Sequence, residues 1–144
     1  MPHIRTEIRH ALAGLITPDV GVVFNSVDAD PAKPFGEKHT PRVEIRFAGE
    51  QRERSHGGYV KLTIQYTVDI IERGSPIQDR VDDLGLVFEK RLSANPTLDD
   101  AVMYCAVTSV VADTSSQGEV RTASLRYIVQ AQVEVLESNP VTRA

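Results

Sequence analysis

The stretch "SLRYIVQAQVEV", residues 124–135, decides the fold class. From Leu125 onward one set of alternate positions reads Leu125, Tyr127, Val129, Ala131, Val133 and Val135; the other reads Arg126, Ile128, Gln130, Gln132 and Glu134. A period of two is the pattern of a β-strand with one dry and one wet face. The alternation begins near Arg121 and runs to Leu136, about 50 Å of straight strand at ~3.3 Å per residue. "YVKLTIQYTVDII", residues 59–71, repeats the pattern over about 43 Å, with Val60, Leu62, Ile64, Tyr66, Val68 and Ile70 on one face. A compact chain of this length has a diameter of roughly 37 Å. Strands of such length must bend at a bulge or project beyond their own core. Ile128 interrupts the wet face as though that face were partly covered. The expectation is that strand ends or edges are covered by another subunit; strong twist and coiling of the sheet is the alternative.

The remaining elements are read outward from these two. "HIRTEIRHALAGLITPD" sets Ile4, Ile8, Leu12 and Leu15 at helical spacing with Ala11 on the same stripe, and Arg5, Glu7 and Arg9 on the other side. "VGVVF", residues 20–24, reads as a first strand. Asn25 to Pro41 carries three prolines and no periodicity, and reads as a long exposed loop. "RVEIRFAGE" alternates as a second strand, followed by a charged turn from Glu50 to Gly58. "GSPIQDRVDDLGLVFEKRL" is a helix: Ser75 is suited to the N-cap, Pro76 to the first turn and Gln78 to a capping box. Ile77, Val81, Leu84, Phe88 and Leu92 form its buried stripe, and Lys90 and Arg91 suit its C-terminal end. "AVMYCAVTSVVAD" is apolar on both faces and predicts a mostly buried fourth strand from about Val102. The fold class is therefore α+β: a mainly antiparallel five-stranded sheet with two helices packed on one face, in the order α-β-β-β-α-β-β. Residues 1–136 form a single domain in this reading, and 137–144 a flexible tail.

The 144 residues carry 41% hydrophobic and 25% charged side chains, as globular proteins do. The net charge of −4 supplies no general attraction to nucleic acid or anionic lipid. Neither a signal peptide nor a membrane-spanning run is present, so the sequence reads as a soluble protein made in a cytoplasm. The single cysteine, Cys105, lies in an apolar run and reads as a small buried hydrophobe rather than a nucleophile. His3, His10, His39 and His56 share no metal-ligand spacing and read as surface histidines. "DAD", Asp28 to Asp30, lacks the glycine and distant glutamate of a calcium loop. The pairs Asp82–Asp83 and Asp99–Asp100 are explained by solvated positions rather than acid–base work. "HGGY" lacks the lysine and following helix of a phosphate loop, and no Gly-x-Ser-x-Gly elbow occurs. No catalytic constellation, metal site or cofactor site emerges.

The succession of an "IRTEIRHALAGL" helix, a "PRVEIRF" strand, "YVKLTIQYTVDII", the "IQDRVDDLGLVFEKRL" helix and "LDDAVMYCAVTSVVAD", closed after a polar "DTSSQGE" turn by "VRTASLRYIVQAQVEV", resembles a known family. It is similar to the tail terminator proteins of long-tailed bacteriophages, the minor tail protein U-like family, over about residues 3 to 136. The resemblance implies a non-enzymatic virion protein without cofactor, assembled in the host cytoplasm. It implies a homo-oligomeric ring, typically a hexamer, that caps the tail tube, stops its polymerisation and offers the surface for head joining. Its partners would be its own copies, the tail tube protein and the head-completion or connector protein, with no membrane and no direct reading of nucleic acid. A different tail or neck subunit, such as a tube or head–tail joining protein, and a small ligand-binding or enzymatic domain are the competing readings. Candidate interface residues lie in the two irregular segments: Asp28, Asp30, Lys33 and Lys38 in the first, and Arg52, Glu53, Arg54 and His56 in the second. A merely solvated hairpin tip is the alternative for Arg52, Glu53 and Arg54.

Overall fold

The computed structural model describes residues 3–15, 26–28, 42–73, 78–117 and 120–140. Helix α1 (Ile4–Leu15) is followed by β1 (Ser26–Asp28), β2 (Arg42–Arg54), β3 (Tyr59–Arg73), helix α2 (Gln78–Ala94), β4 (Tyr104–Gln117) and β5 (Val120–Leu136). The sheet order is β1-β2-β3-β5-β4. The two expected hairpins form, β2 with β3 and β4 with β5, and the two longest strands, β3 and β5, become neighbours at the centre. All four long strands run antiparallel. The expectation of five strands in that arrangement is corrected: the remaining partner is the three-residue β1, which runs parallel to β2 along Arg42 to Glu44. The strand expected at 20–24 lies outside the described residues, as do the N-cap and Ile77 expected for α2.

The alternation read from the sequence is the burial pattern. Val60, Leu62, Ile64, Tyr66, Val68 and Ile70 of β3 are buried, as are Leu125, Tyr127, Val129, Ala131, Val133 and Val135 of β5. Both helices cover that face. Ile4, Ile8 and Leu12 of α1 and Val81, Leu84, Phe88 and Leu92 of α2 join the same core. Tyr66 donates its hydroxyl to the Arg5 carbonyl of α1 at 2.7 Å, and Tyr127 donates to Glu89 of α2 at 3.0 Å. Each buried phenol thus satisfies its polar end on the helix that covers it.

The long central strands therefore do not outrun their core. They pair over the whole 15-residue length of β3 with no interruption of register. The outer strands bend instead. β2 carries a bulge between Phe47 and Gly49, and β4 one between Val107 and Ser109. Phe47 pairs Tyr66, Tyr66 pairs Val129 and Val129 pairs Val107, so both bulges abut one row across the sheet. An extra residue in each outer strand sharpens the local twist there, which curls a long sheet without breaking its central ladder.

A further correction concerns β4. It starts at Tyr104, and from Thr108 to Thr114 every residue is exposed. The run is apolar, yet it occupies the outermost position in the sheet, where the helices reach only its beginning. The charged turn is likewise shorter than expected: β2 continues to Arg54, and residues 55–58 alone make the bend. Gly57 and Gly58 there have φ of 64° and 82°, a conformation that favours glycine.

Gly85 shows how closely α2 is seated. A Cβ at this position would overlap the Tyr127 hydroxyl and come within 3.1 Å of Leu125 Cδ1. Alanine gains up to about 1 kcal/mol of helix propensity over glycine, but overpacking costs typically about 1–3 kcal/mol. We expect Gly85→Ala to lower stability in urea unfolding despite its propensity, and Tyr127→Phe to recover part of the loss in a double-mutant cycle. A stabilised G85A protein would contradict this packing.

Candidate functional site

The β2 bulge rearranges the charges of the first hairpin. Before it, Arg42, Glu44 and Arg46 lie opposite Ile71, Asp69 and Thr67, on the face away from the helices. After it, Glu50, Arg52 and Arg54 lie opposite Ile64, Leu62 and Val60, on the helix face. One inserted residue transfers an unchanged alternation to the other side of the sheet.

Glu50 consequently meets α1. Its carboxylate lies 3.5 Å from Arg5 Nε and accepts a 2.6 Å hydrogen bond from Arg52 Nε. The Arg5 guanidinium stands 5.1 Å from the centre of the Phe47 ring, which packs edge-on against Tyr66. The helix start is fixed by His3. Its carbonyl accepts from the amides of Thr6 and Glu7, and its Nδ1 accepts from the Arg5 amide at 3.1 Å. The Ile4 amide donates to the Pro140 carbonyl, so the same corner holds the last described residue.

Of the candidates expected from the sequence, Arg52 is engaged within its own hairpin by Glu50. Glu53 lies on the opposite face, across from Lys61. Arg54 is more exposed than Arg52, with 86% of its side chain in solvent against 46%, and has Glu137 at 4.0 Å. His56 sits in the turn, 3.2 Å from the Ser55 hydroxyl and beside the Tyr59 ring. Asp28 is in β1. Asp30, Lys33 and Lys38 lie outside the described residues. The structure thus gathers Arg52, Glu53, Arg54 and His56 at one end of the sheet.

On the face away from the helices, Arg126 holds Asp69 with two hydrogen bonds of 2.8 and 3.1 Å, and Arg42 and Arg46 each approach Glu44 at 3.3 Å. Asp69 and Arg126 balance one another, and Glu44 is shared by two arginines. The Asp69 carboxylate also favours the charged guanidinium of Arg126, raising its pKa. A cavity of about 370 Å³ opens between the end of α2 and the start of β4, with Glu89, Leu92, Pro96, Tyr104 and Cys105 among its lining residues. Burial pushes the Cys105 thiol up to about 12, which keeps it protonated and un-nucleophilic at neutral pH. Glu89 is engaged by Tyr127. Among the described residues no cluster of His, Cys, Asp and Glu could hold a metal ion, and no helix is long and apolar enough to cross a membrane.

The feature missed from the sequence is the outer edge of β4. Val110 and Val111 are 48% and 54% exposed. Val110 lies opposite Tyr127 on the helix face, and Val111 opposite Arg126 on the other. Among the described residues no strand pairs with the far side of β4. Its outward N–H and C=O groups are flanked by apolar side chains on both faces, which makes it a template for another strand. The break in alternation at Thr108–Ser109 was the available signal, because it marks the bulge.

No protein-family model and no curated protein matches the chain. Among solved structures it is similar to a chain in the virion of a native gene transfer agent particle. That match has 13% identity and a TM-score of 0.36, over 90% of this chain and 92% of the other. A superposition this loose does not establish a shared fold.

The His3 cap has a pH consequence. Burial, followed by the nearby Arg5 charge, lowers the His3 pKa below its ordinary 6.5. Protonation would also remove the Nδ1 lone pair that receives the Arg5 amide. A lowered folded pKa contributes stability that is complete above 6.5 and lost as pH falls through the folded value. Asparagine caps helices well and does not titrate. The thermal midpoint of wild type should therefore fall more steeply than that of His3→Asn between pH 7.5 and 5. Parallel curves would remove the cap from this role.

Proposed function

We propose that this protein is a structural assembly subunit of a phage-type tail, one copy of a ring that caps the tail tube, stops its growth and offers the surface for head joining. The single observation that carries the assembly reading is the β4 edge, where backbone groups and two exposed valines await cover. Closed assemblies remove such edges, whereas a lone protomer leaves them to water. The resemblance of residues 3 to 136 to the tail terminators supplies the tail and the ring.

In this reading the mechanism is steric and electrostatic, without a covalent step or cofactor. The ring is polar: one face complements the last tube ring, and the other presents surfaces unlike those of a tube subunit. The exposed Arg54, with Glu53 and His56 at the same end of the sheet, supplies charge that orients partners more than it adds affinity. Arg52 contributes indirectly, by holding Glu50 and through it the start of α1. The partners are further copies, the tube protein and the head-completion protein. The working location is the tail or neck of a virion.

Electron microscopy of the purified chain at tens of micromolar tests this. Discrete closed rings of uniform diameter are expected. Open tubes would point to a tube subunit, and featureless small particles at every concentration would end the ring reading. Charge reversal by Arg54→Glu, with unfolding unchanged, is expected to weaken joining to tube or head partners. Undiminished joining would take Arg54 off the interface.

A further inference from the structure

We infer that in dilute solution the exposed segment of β4 is covered by the same segment of a second copy, paired antiparallel about a two-fold axis, and that this pair must part before a ring can close. The inference rests on the assembly reading above and adds the identity of the edge's partner off the tail.

Among the described residues the sheet has two edges, and they differ. β1 occupies β2 only along Arg42 to Glu44. The rest of that edge is bulged beside Phe47 and carries Arg46, Glu50, Arg52, Glu53 and Arg54. A bulge and a row of charges are the devices by which proteins discourage strand addition. The segment of β4 beyond its own bulge, Ser109 to Thr114, has one charge, Asp113, and otherwise small or β-branched side chains. It is the edge without protection.

That segment is also complementary to itself. A two-fold axis perpendicular to the sheet keeps the helix face of both copies on one side and makes the two β4 strands antiparallel. Facing residues must then come from the same face. With the axis at Val111, Val111 meets its own copy on the face away from the helices. Val110 meets Ala112 of the second copy on the helix face, and the reverse. Ser109 meets Asp113 at each end, where a hydroxyl can donate to a carboxylate. The two Asp113 carboxylates stand four residues apart along the strands, about 13 Å at ~3.3 Å per residue. Every facing pair is apolar or hydrogen-bonding, and no like charges meet. Moving the axis to Val110 sets Val111 against Ser109, and moving it to Ala112 sets Val111 against Asp113; only the axis at Val111 pairs Val110, Val111 and Ala112 solely with one another. The centre at Val111 is therefore the favoured register.

This pairing has a consequence for assembly. A polar ring repeats every subunit in the same direction, whereas a two-fold contact reverses its neighbour. The β4 pair cannot sit inside such a ring. It covers the adhesive edge in dilute protein, and ring closure has to displace it.

Cysteine at Val111 tests the arrangement directly. Cys105 is buried and does not compete. Under mild oxidation Val111→Cys is expected to crosslink to its own copy roughly tenfold faster than Ser109→Cys, whose copies lie beyond the ~7 Å Cα separation that a disulfide tolerates. A mixture of Ser109→Cys with Asp113→Cys should give crosslinked heterodimer. By sizing, dilute wild type should run at twice its 15.9 kDa, and Val111→Lys, with an unchanged unfolding midpoint, as a monomer. Oxidised V111C should form no rings and regain them on reduction. Equal crosslinking of V111C and S109C, or monomeric wild type at all micromolar concentrations, would overturn the pairing, and rings from oxidised V111C would overturn the requirement that it part. Crosslinking as expected with no rings under any condition would instead count against the ring reading alone.

Discussion

The unbroken pairing of β3 with β5 is the constraint on which the rest of the structure depends. Fifteen facing pairs run from Tyr59–Leu136 to Arg73–Thr122 without a shift. That ladder sets one apolar face long enough to need two helices side by side. It also places Tyr66 and Tyr127 where each phenol can reach a different helix, the Arg5 carbonyl of α1 and the Glu89 carboxylate of α2. A register slip of one residue would turn both tyrosines, and every valine and leucine beside them, towards water. The burial of that whole face makes such a slip prohibitive. Gly85 adds a second lock, since α2 can seat on Tyr127 only where it carries no side chain.

With the centre fixed, the register irregularities fall on the outer strands. The two bulges abut the row through Phe47, Tyr66, Val129 and Val107, so the sheet bends at one place on both sides. Their effects on the edges are opposite. In β2 the bulge brings Glu50, Arg52 and Arg54 to the helix face, where Arg5 and Glu50 meet and the hairpin acquires a polar attachment to α1. In β4 the bulge comes as the strand leaves the helices, and the residues beyond it form an exposed apolar margin. One edge is engaged with α1 through Glu50, and the other carries no further strand among the described residues.

The charges obey the same division. On the face away from the helices Asp69 pairs with Arg126, and Glu44 is shared by Arg42 and Arg46. Asp69–Arg126 and Glu44–Arg46, each with an arginine about half exposed, contribute only about 0.2–1 kcal/mol each, whereas Arg42 and Glu44 are both buried. Arg54, largely in solvent, keeps its charge available at the end of the first hairpin. An exposed apolar edge and a charged hairpin tip thus occupy different parts of the sheet.

Much of this was legible in the residues themselves. Period-two alternation in β3 and β5 and helical spacing in α1 and α2 determined the elements, the dry face and nearly every core side chain, because those patterns are local and reflect one buried side. The mutual pairing of β3 and β5, the bulges and the exposure of β4 were not local. Arg52 looked like a loop charge, but the extra residue between Phe47 and Gly49 turned it towards Glu50 and α1. "CAVTSVVAD" looked like a buried strand because hydrophobicity records what a side chain prefers, not which place in the sheet its strand receives. Sheet order assigned β4 to the outside, beyond the reach of the helices, and only that assignment made its valines a surface.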